Sequence, residues 1–329
     1  MAYVRLKEIA ERANVSINTV SRALKDKHDI GIKTKKRIHS IAEELGYIPH
    51  ATASSLRSKC NRTIGVVITH LDNAFFSSIL QGINDAIVNH GFTILTLSSN
   101  EDPETEQRIL RTLAANRVAG IIFVPSQDLR NVIDYDNLRA PHISIVRRGP
   151  ANTLNYFITD SYRSGVIAAR YFLKKDRKNP AYIGYFMPVS CNKSRFEGFR
   201  DELKENGILL KEKQICLCDS NPDEAYKTTK TIIKSVKEID SIFVYNDQMA
   251  FGVLRALYDL GVHIPQDISV LGHDDIAEAR HFIPSLSTVR VPKYKLGFES
   301  ASCLVELIQE GKGVSKNVVY NPELIGRET

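Results

Sequence analysis

The chain lacks the sequence features of membrane and exported proteins. Its 329 residues contain no uninterrupted apolar run of about 18 residues, which is the length that a membrane-spanning helix needs. Charged residues interrupt the N-terminal segment from Arg5 onward, so this segment does not have the apolar centre of a signal peptide. We therefore expect a protein of the cytoplasm that has no membrane partner.

Cysteine is scarce and shows no regular spacing. The five cysteines form an odd number and include no Cys-x-x-Cys pair. Cys216 and Cys218 would share one face of a strand, but no further histidine or cysteine nearby completes a metal site. We expect reduced thiols, as is usual inside cells, and neither a metal ion nor another cofactor.

Acidic residues are under-represented at one end of the chain. Residues 1–62 contain 13 lysines or arginines against 6 aspartates or glutamates, whereas the remaining residues contain 31 against 32. The net charge of +6 is therefore carried by the first fifth of the chain. A basic end on a nearly neutral body is typical of nucleic-acid-binding proteins, although basic tails are common and the distribution alone is weak evidence.

The basic end has the residue spacing of three short helices. The apolar residues of Leu6–Ala13 recur on one helical face. Ser16 is a candidate N-cap for a second helix, Ile17–Leu24, and Thr34 is one for a third. Gly46 is a candidate C-cap for the third helix. Three short helices with a tight turn between the first two predict a helix-turn-helix unit.

A small polar segment follows the predicted helix-turn-helix unit, which spans residues 1–49. Residues 50–61 contain a single large apolar side chain, Leu56, and neither glycine nor proline. This segment is either a flexible linker or a hinge helix that forms only with support, because an isolated helix of this length is marginal in water.

After Asn61 the sequence alternates between strand-like and helix-like segments. Near-continuous apolar runs, typical of buried strands, lie at Thr63–Thr69, Phe92–Leu97, Gly120–Pro125, Ile143–Val146, Tyr182–Tyr185, Ile215–Leu217, Ser241–Tyr245 and Ser269–Gly272. Helical patterns fill the intervals between them. Such alternation predicts parallel sheets with helices on both faces, the doubly wound α/β arrangement.

The two series of strands predict two lobes within residues 62–329. We assign about residues 62–160 and 292–320 to the first lobe, and about residues 161–291 and 321–329 to the second. Ligands of open α/β sheets bind at the carboxyl ends of the strands. A two-lobed core of this kind is therefore expected to hold its ligand in the cleft between the lobes.

Several short motifs follow one another in a fixed order. Val15–Leu24 has the sequence VSINTVSRAL, which matches the signature V-S-x-x-T-V-S-R-x-L. Further motifs, in order, are Gly46–Pro49, Ala53–Leu56, Asn73–Phe76, Arg195–Arg200, Asn246–Ala250 and Gly272–Asp275. Through these motifs the chain resembles the lactose-repressor/galactose-repressor (LacI/GalR) family of bacterial transcription regulators over nearly its whole length.

The resemblance implies a sequence-specific DNA-binding transcription regulator, with repression as the favoured action. It implies a homodimer on a pseudo-palindromic operator, because one headpiece alone has too small an interface for tight binding. It also implies allosteric control by a small polar effector in a core like that of periplasmic binding proteins. No heptad segment follows Arg327, so a dimer is favoured over a tetramer. Residues that depart from the family pattern, and bear on the effector, are Ala74, Val146, Ser161 and His273.

The second helix carries the candidate base-contacting side chains. Ile17, Asn18 and Arg22 lie on its outward face, where they could meet a thymine methyl group, an adenine and a guanine respectively. The alternative is a solvated helix face. Side chains suited to phosphate contacts, with capping as the other use of the hydroxyls, are those of Arg5, Ser16, Thr19, Ser21, Lys25, Lys33, Thr34 and Tyr47.

The resemblance also gives the segment after residue 49 a role on DNA. It implies that paired hinge helices insert Leu56 into the minor groove, where an apolar wedge kinks a base step. Ala53 and Arg57 belong to the same contact, and Arg57 could instead neutralise a phosphate. The alternative for Leu56 is a small packing contact with the core.

By the same resemblance, the cleft side chains that contact the effector are those of Asn73, Phe75, Phe76, Arg147, Arg195, Asn246 and Asp274. A sugar is favoured, because forked donors and acids fit vicinal hydroxyls. A purine is the second possibility, since Phe75 or Phe76 could stack on a base. Two arginines against one clear acid leave a phosphorylated or acidic sugar open. The structural alternatives are a helix cap for Asp274, a surface salt bridge for Arg195 and core packing for the phenylalanines.

An enzyme and a transport binding protein are the two competing classes. The chain has no G-x-G-x-x-G after a strand, no G-x-x-x-x-G-K-[ST] and no G-x-S-x-G, and its histidines lack metal-ligand spacing. These absences argue against the enzyme classes that such motifs define. A transport binding protein of the same two-lobed fold would need a signal peptide and would lack the headpiece.

Overall fold

The computed structural model describes residues 4–47, 61–127, 135, 138–149, 155–187, 189–311 and 315–329. The chain forms two compact units, Met1–Asn61 and Arg62–Thr329. The predicted minor-groove residues Ala53, Leu56 and Arg57 lie outside the described residues. Within the described part, no helix has both the length and the apolar character needed to cross a membrane.

The first unit is built from three short helices around one small core. They are α1 (Leu6–Ala13), α2 (Ile17–Ala23) and α3 (Ile32–Glu44). The side chains that form the core are those of Ile9, Ala10, Ala13, Val20, Ala23, Ile38 and Ala42. The helical spacing that predicted a helix-turn-helix unit is therefore the spacing of the buried faces.

Two predicted helix ends are confirmed. The Ser16 Oγ accepts a hydrogen bond from the Thr19 N–H at 3.1 Å and so caps α2. Gly46 has a left-handed φ of +65°, and its N–H bonds back to the carbonyl of Glu43 at 3.0 Å. Glycine adopts this conformation without steric cost, which is why it closes α3.

The predicted capping role of Thr34 is wrong. The helix α3 begins at Ile32 with Gly31 at the N-cap, so Thr34 lies inside the first helical turn. Glycine offers no capping side chain, but it is tolerated at that position. Ile32 and Lys33 therefore extend the helix before the expected cap.

The first lobe of the core unit contains a parallel six-stranded sheet. Its strands, in spatial order, are β11 (Asn317–Tyr320), β5 (Tyr156–Thr159), β4 (His142–Val146), β3 (Gly120–Phe123), β1 (Thr63–Ile68) and β2 (Thr93–Ser98). One face packs against α4 (Phe75–Ile87) and α10 (Lys293–Glu310), and the other face packs against α5 (Pro103–Ala115).

The second lobe contains another six-stranded sheet, in which one edge strand is antiparallel. Its strands, in spatial order, are β12 (Glu323–Ile325), β10 (Ser287–Arg290), β9 (Ser269–Asp274), β8 (Ser241–Val244), β6 (Pro180–Tyr185) and β7 (Ile215–Cys218). One face is covered by α6 (Ser161–Lys174) and α7 (Ser190–Glu205), the other by α8 (Pro222–Ser235) and α9 (Asp247–Asp259).

The prediction of two doubly wound, parallel-sheet lobes is confirmed. The chain passes between the lobes three times, after β5, after β10 and after β11. The antiparallel edge strand β12 is the exception to the predicted parallel order.

A close helix crossing positions one wall of the cleft. A Cβ atom added to Gly198 of α7 would lie 2.0 Å from the carbonyl oxygen of Tyr162 in α6. A Cβ atom added to Gly165 of α6 would lie 2.0 Å from the carbonyl oxygen of Arg195. The two backbones therefore touch at this crossing, which fixes where α7 holds Arg195.

Candidate functional site

The headpiece presents the three predicted base-contacting side chains on an exposed face of α2. Ile17 is 47% exposed, and Asn18 and Arg22 are also exposed. The opposite face buries Val20 and Ala23 in the core of the unit. All three side chains are therefore accessible on one side of the unit, which is what base contact requires.

Arg22 has a partner that the sequence did not predict. Its Nε and Nη2 atoms bind the Asp29 Oδ2 at 2.7 Å and 2.6 Å. This contact with Arg22 lowers the pKa of the Asp29 carboxyl below its usual range. Both side chains are accessible to water, so the pair orients Arg22 without burying it.

The residues predicted to contact phosphates differ in exposure. Exposed side chains among them are those of Arg5, Ser16, Lys25 and Lys33, and half-buried ones are those of Thr19, Ser21, Thr34 and Tyr47. The Ser16 and Thr19 hydroxyls lie 2.8 Å apart, so both also serve the helix end. Partial burial raises the pKa of the Tyr47 hydroxyl, which keeps it a neutral donor.

The second candidate site is a cavity at the carboxyl ends of the core strands. The centre of a water-sized molecule can reach about 70 Å³ of it, and both lobes line it. The residues predicted to contact the effector all line this one cavity: Asn73, Phe75, Phe76, Arg147, Arg195, Asn246 and Asp274. The rule that ligands bind at strand ends therefore locates the cavity correctly.

Arg147 lies on the first-lobe wall in a buried ion pair. Its Nη1 and Nη2 atoms each donate to a carboxylate oxygen of Glu101 at 2.7 Å. Burial alone would lower the pKa of the Arg147 guanidinium, but the charge and hydrogen bonds of Glu101 together with smaller effects of neighbouring groups raise it. Among the described residues, no acceptor meets the buried Arg147 Nε–H.

Arg195 approaches from the second lobe, and it is not a surface residue. Its side chain is buried, which rules out the alternative of a surface salt bridge. The Arg195 Nη1 donates to the Tyr245 carbonyl oxygen, and the guanidinium carbon lies 4.9 Å from the centre of the Tyr245 ring. Its Nε–H is a second buried donor that meets no acceptor in the described part of the chain.

Two of the predicted polar contacts already serve helix ends. The Asn73 Oδ1 accepts from the Phe75 N–H at 2.9 Å, and the Asn246 Oδ1 accepts from the Met249 N–H at 2.8 Å. The Asn246 Nδ2 donates to the Ser220 hydroxyl at 3.0 Å. The sequence predicted both donor and acceptor functions at Asn246, whereas its oxygen and its amide group are already engaged here.

Asp274 is held in place by its neighbour on β9. The His273 Nδ1 lies 2.8 Å from the Asp274 Oδ1, and the His273 Nε2 lies 3.2 Å from the Ser164 Oγ. The 3-10 turn that follows is capped by Ile276 and not by Asp274, so the helix-cap alternative is wrong. Asp274 has a φ of 112°, which is strained for a residue other than glycine and fits a functional position.

The pKa of His273 predicts a pH dependence of stability. Burial lowers this pKa to about 4, and the Arg195 charge acts in the same direction against the Asp274 hydrogen bond. The unfolded chain, with a histidine pKa near 6.5, binds more protons between these values, so the free energy of unfolding falls as the pH falls from about 6.5 to 4. The loss is roughly 3 kcal/mol.

Urea unfolding at pH 7, 5.5 and 4.5 measures this loss. His273→Gln should flatten the dependence, whereas His281→Gln, which changes an exposed histidine, should leave it unchanged. Equal pH dependence in the wild type and His273→Gln would show that His273 does not carry it.

Several lining residues were missed by the sequence analysis although they follow the strand-end rule. Tyr185 ends β6, Tyr245 follows β8, His273 lies at the end of β9, and Glu101 comes three residues after β2. Phe75 and Phe76 both line the cavity and pack into the first-lobe core, with ring centres 5.1 Å apart. Packing and ligand contact are therefore compatible for these two rings.

The charges that line the cavity nearly balance. Glu101 and Asp274 offset Arg147 and Arg195. Two imidazoles also line the cavity, those of His70 and His273, and the low pKa of His273 keeps its imidazole neutral at pH 7. The sequence motifs indicated two arginines against one acid, because no motif contains Glu101. A helix-turn-helix headpiece joined to a two-lobed core with such a cavity defines a DNA-binding regulator that responds to a ligand.

The family models match both parts of the chain. Residues 5–50 match the bacterial regulatory proteins of the lacI family, and residues 61–328 match the periplasmic binding proteins and sugar binding domain of LacI family. The chain therefore belongs to the LacI family of bacterial regulatory proteins, and it is a DNA-binding transcription regulator with an effector-binding core.

Individual relatives cover nearly the whole chain. The chain is 30% identical to the HTH-type transcriptional repressor PurR of Vibrio vulnificus (strain CMCP6), with 98% of each chain covered. It resembles the lac repressor dimer bound to operator and the anti-inducer ONPF, with a TM-score of 0.87, 24% identity, and 100% and 99% of the two chains covered. The transcriptional regulator CelR in complex with cellobiose gives a TM-score of 0.74 at 23% identity over 99% of each chain. These two structural similarities show the fold.

Proposed function

We propose that the chain is a repressor that binds a pseudo-palindromic operator as a homodimer and changes its operator affinity when a sugar or sugar derivative enters the core cavity. Repression is supported by the relatives named as repressors, and dimeric operator binding by the lac repressor complex. A regulator must meet its operator, so we place it in the cytoplasm. The effector is bound without turnover.

The charge balance of the cavity carries the proposal of a sugar. Two arginines and two carboxylates with almost no net charge suit a neutral ligand with many hydroxyl groups. Arg147 and Arg195 line the cavity, and their guanidinium groups carry N–H donors that a hydroxyl oxygen can accept from. Hydroxyl side chains that line the same cavity are those of Thr69, Thr159, Ser161 and Ser220. The match of the core to a family model that includes sugar binding domains supports the same ligand class.

A purine-type effector is the second candidate, and aromatic side chains favour it. Phe75, Phe76, Tyr185 and Tyr245 line the cavity, and any of them could provide a face for a planar base. The two phenylalanines already pack edge to face with each other, which limits the ring area that they can offer. We therefore rank the purine below the sugar.

A thermal-shift panel decides between the candidates, because a ligand raises the unfolding temperature of the state it binds. The panel contains neutral sugars, sugar phosphates and purine bases on the wild type and on Arg195→Ala. We expect a neutral sugar to raise the midpoint of the wild type and not that of the variant. If only purines raised the unfolding temperature, the effector would be a purine and not a sugar. Turnover of a ligand would contradict the regulatory role of the cavity.

Hydrogen bonds between the lobes provide a physical route for control. The Gln127 Oε1 accepts from the Ser190 N–H at 2.7 Å, and the Gln248 Nε2 donates to the Asp72 carbonyl oxygen at 3.4 Å. A ligand that touches both lobes favours one lobe arrangement and shifts the population toward it. The coupling is reciprocal, so operator DNA should change the effector affinity by the same factor.

Base contact by Arg22 can be separated from phosphate contact by Lys25. Arg22→Ala should lose discrimination at one operator position by about 1–3 kcal/mol, because a bidentate contact with a base is removed. Lys25→Ala should weaken binding to all sequences alike and flatten the salt dependence. Competition binding with operator variants at two salt concentrations measures both effects.

Asp29→Ala is the control for the Arg22 pair. It frees the Arg22 guanidinium and should keep the base preference, since the base contact comes from Arg22 itself. If Arg22→Ala bound every sequence more weakly by the same factor, Arg22 would not contact a base.

A further inference from the structure

The Glu101–Arg147 pair places a carboxylate in the cavity wall. No sequence motif predicted this carboxylate. The two side chains are each 6% exposed, and two hydrogen bonds of 2.7 Å join them in a forked geometry. Both residues line the cavity that we propose as the effector site. A buried arginine would otherwise be the strongest anion-binding group on this wall.

The backbone on both sides of the pair adopts an unfavourable conformation. Asn100 and Glu101 have φ values of 54° and 58°, and Val146, next to Arg147, has a φ of 68°. Left-handed backbone is costly for residues other than glycine, and more so for a β-branched valine. Such strain persists where surrounding structure holds it, and here it directs the two charged side chains toward each other.

We propose that Glu101 is a specificity-determining residue, which makes the cavity select neutral polar ligands and reject anionic ones by occupying the Arg147 guanidinium. The proposal rests on the proposed function of the cavity as the effector site. It excludes the phosphorylated or acidic sugar that the sequence left open.

The geometry of the pair explains the selection. Glu101 accepts one hydrogen bond from each Nη group of Arg147 and offsets its charge, so the donors that remain on this guanidinium suit a neutral oxygen. A phosphate or carboxylate could use the Nη1–Nη2 edge of Arg147 only by displacing Glu101, and on the Nε edge it would lie close to the Glu101 carboxylate. Displacement would leave the buried Glu101 charge unpaired and close to the incoming anion, which is strongly unfavourable.

The wild type gives the first measurement. Calorimetric titration with glucose and glucose 6-phosphate, and with galactose and galactose 6-phosphate, should show that the neutral member of any pair that binds is preferred by about tenfold or more. Inorganic phosphate should raise the unfolding temperature of the wild type no more than that of the double variant Glu101→Gln/Arg147→Gln, because its general salt effect acts on both alike. A wild type that bound the phosphorylated member as tightly as the neutral one would overturn the proposal without any variant.

Glu101→Gln gives the second measurement. It keeps the shape of the side chain and frees the charge of Arg147, so inorganic phosphate should bind and the neutral preference should fall by about tenfold or more. Glu106→Gln is the matched control, because Glu106 is a buried carboxylate of the same lobe that is not among the lining residues. It should behave as the wild type does toward phosphate.

The double variant Glu101→Gln/Arg147→Gln separates charge from packing. It replaces the ion pair by two neutral amides, so it should gain no phosphate affinity even though Glu101 is absent. If Glu101→Gln folds and gains no phosphate affinity, or if the double variant gains as much, Glu101 does not set the charge preference. If no sugar binds any form, the sugar proposal fails, while the response of Glu101→Gln to inorganic phosphate still tests the role of Glu101.

Discussion

Asp274→Asn should abolish the effector response while operator binding without effector stays unchanged. The Asp274 carboxylate is buried at the end of β9, lines the cavity and is fixed by the His273 Nδ1 at 2.8 Å. The amide keeps the shape but removes the charge that a ligand hydroxyl would donate to. A hydrogen bond to a charged group contributes about 1.5–3 kcal/mol, so the Kd should rise by about 10-fold to 150-fold.

Arg195→Ala should lower the effector affinity by at least as much, because it removes a whole positively charged side chain from the same cavity. Titration of wild type and both variants with the ligand from the panel measures the losses, and operator binding without ligand shows whether the headpiece still works. Asp259→Asn, an exposed carboxylate of the same lobe, is the control and should bind as the wild type does. If either cavity variant bound the effector with the affinity of the wild type, the effector site would not be this cavity.

Gly198→Ala should destabilise the core by about 3 kcal/mol or more and weaken effector binding at the same time. The added Cβ atom would lie 2.0 Å from the Tyr162 carbonyl oxygen, a backbone atom that cannot rotate away. The helix α7 must therefore shift relative to α6. Arg195 lies one turn before Gly198 on α7, so the shift should carry its guanidinium away from the ligand.

Urea unfolding gives the stability change, and titration gives the affinity change. Gly326→Ala is the matched control, since a Cβ atom there meets nothing within 4 Å and no left-handed backbone is involved. It should change neither quantity. If Gly198→Ala were as stable as Gly326→Ala, the close contact between α6 and α7 would not be required.

The sequence predicted the architecture and the position of the cavity because both depend on local patterns. Helical spacing and apolar runs mark the elements, and the strand-end rule then locates the ligand site without any side-chain detail. The sequence patterns did not predict four strands: β5 and β11 have four residues each, β10 has the polar sequence STVR, and β12 is a three-residue edge strand. Strands this short offer too few residues for a clear pattern.

The partners of the charged side chains could not be predicted. Arg22 meets Asp29 only because the turn between α2 and α3 brings them together. Glu101 reaches Arg147 across 46 residues and through backbone conformations that the sequence does not signal. The pairing corrects the charge count of the cavity, and it changes the expected ligand from one that could be anionic to one that is neutral.

The order in which the chain builds its parts has a consequence during synthesis. The headpiece closes its own small core with residues near the start, so it can fold as soon as it leaves the ribosome. Each core sheet is complete only when its last edge strand has been made. This strand is β11 (Asn317–Tyr320) in the first lobe and β12 (Glu323–Ile325) in the second. A growing chain therefore carries a folded helix-turn-helix unit before either sheet of the core is complete.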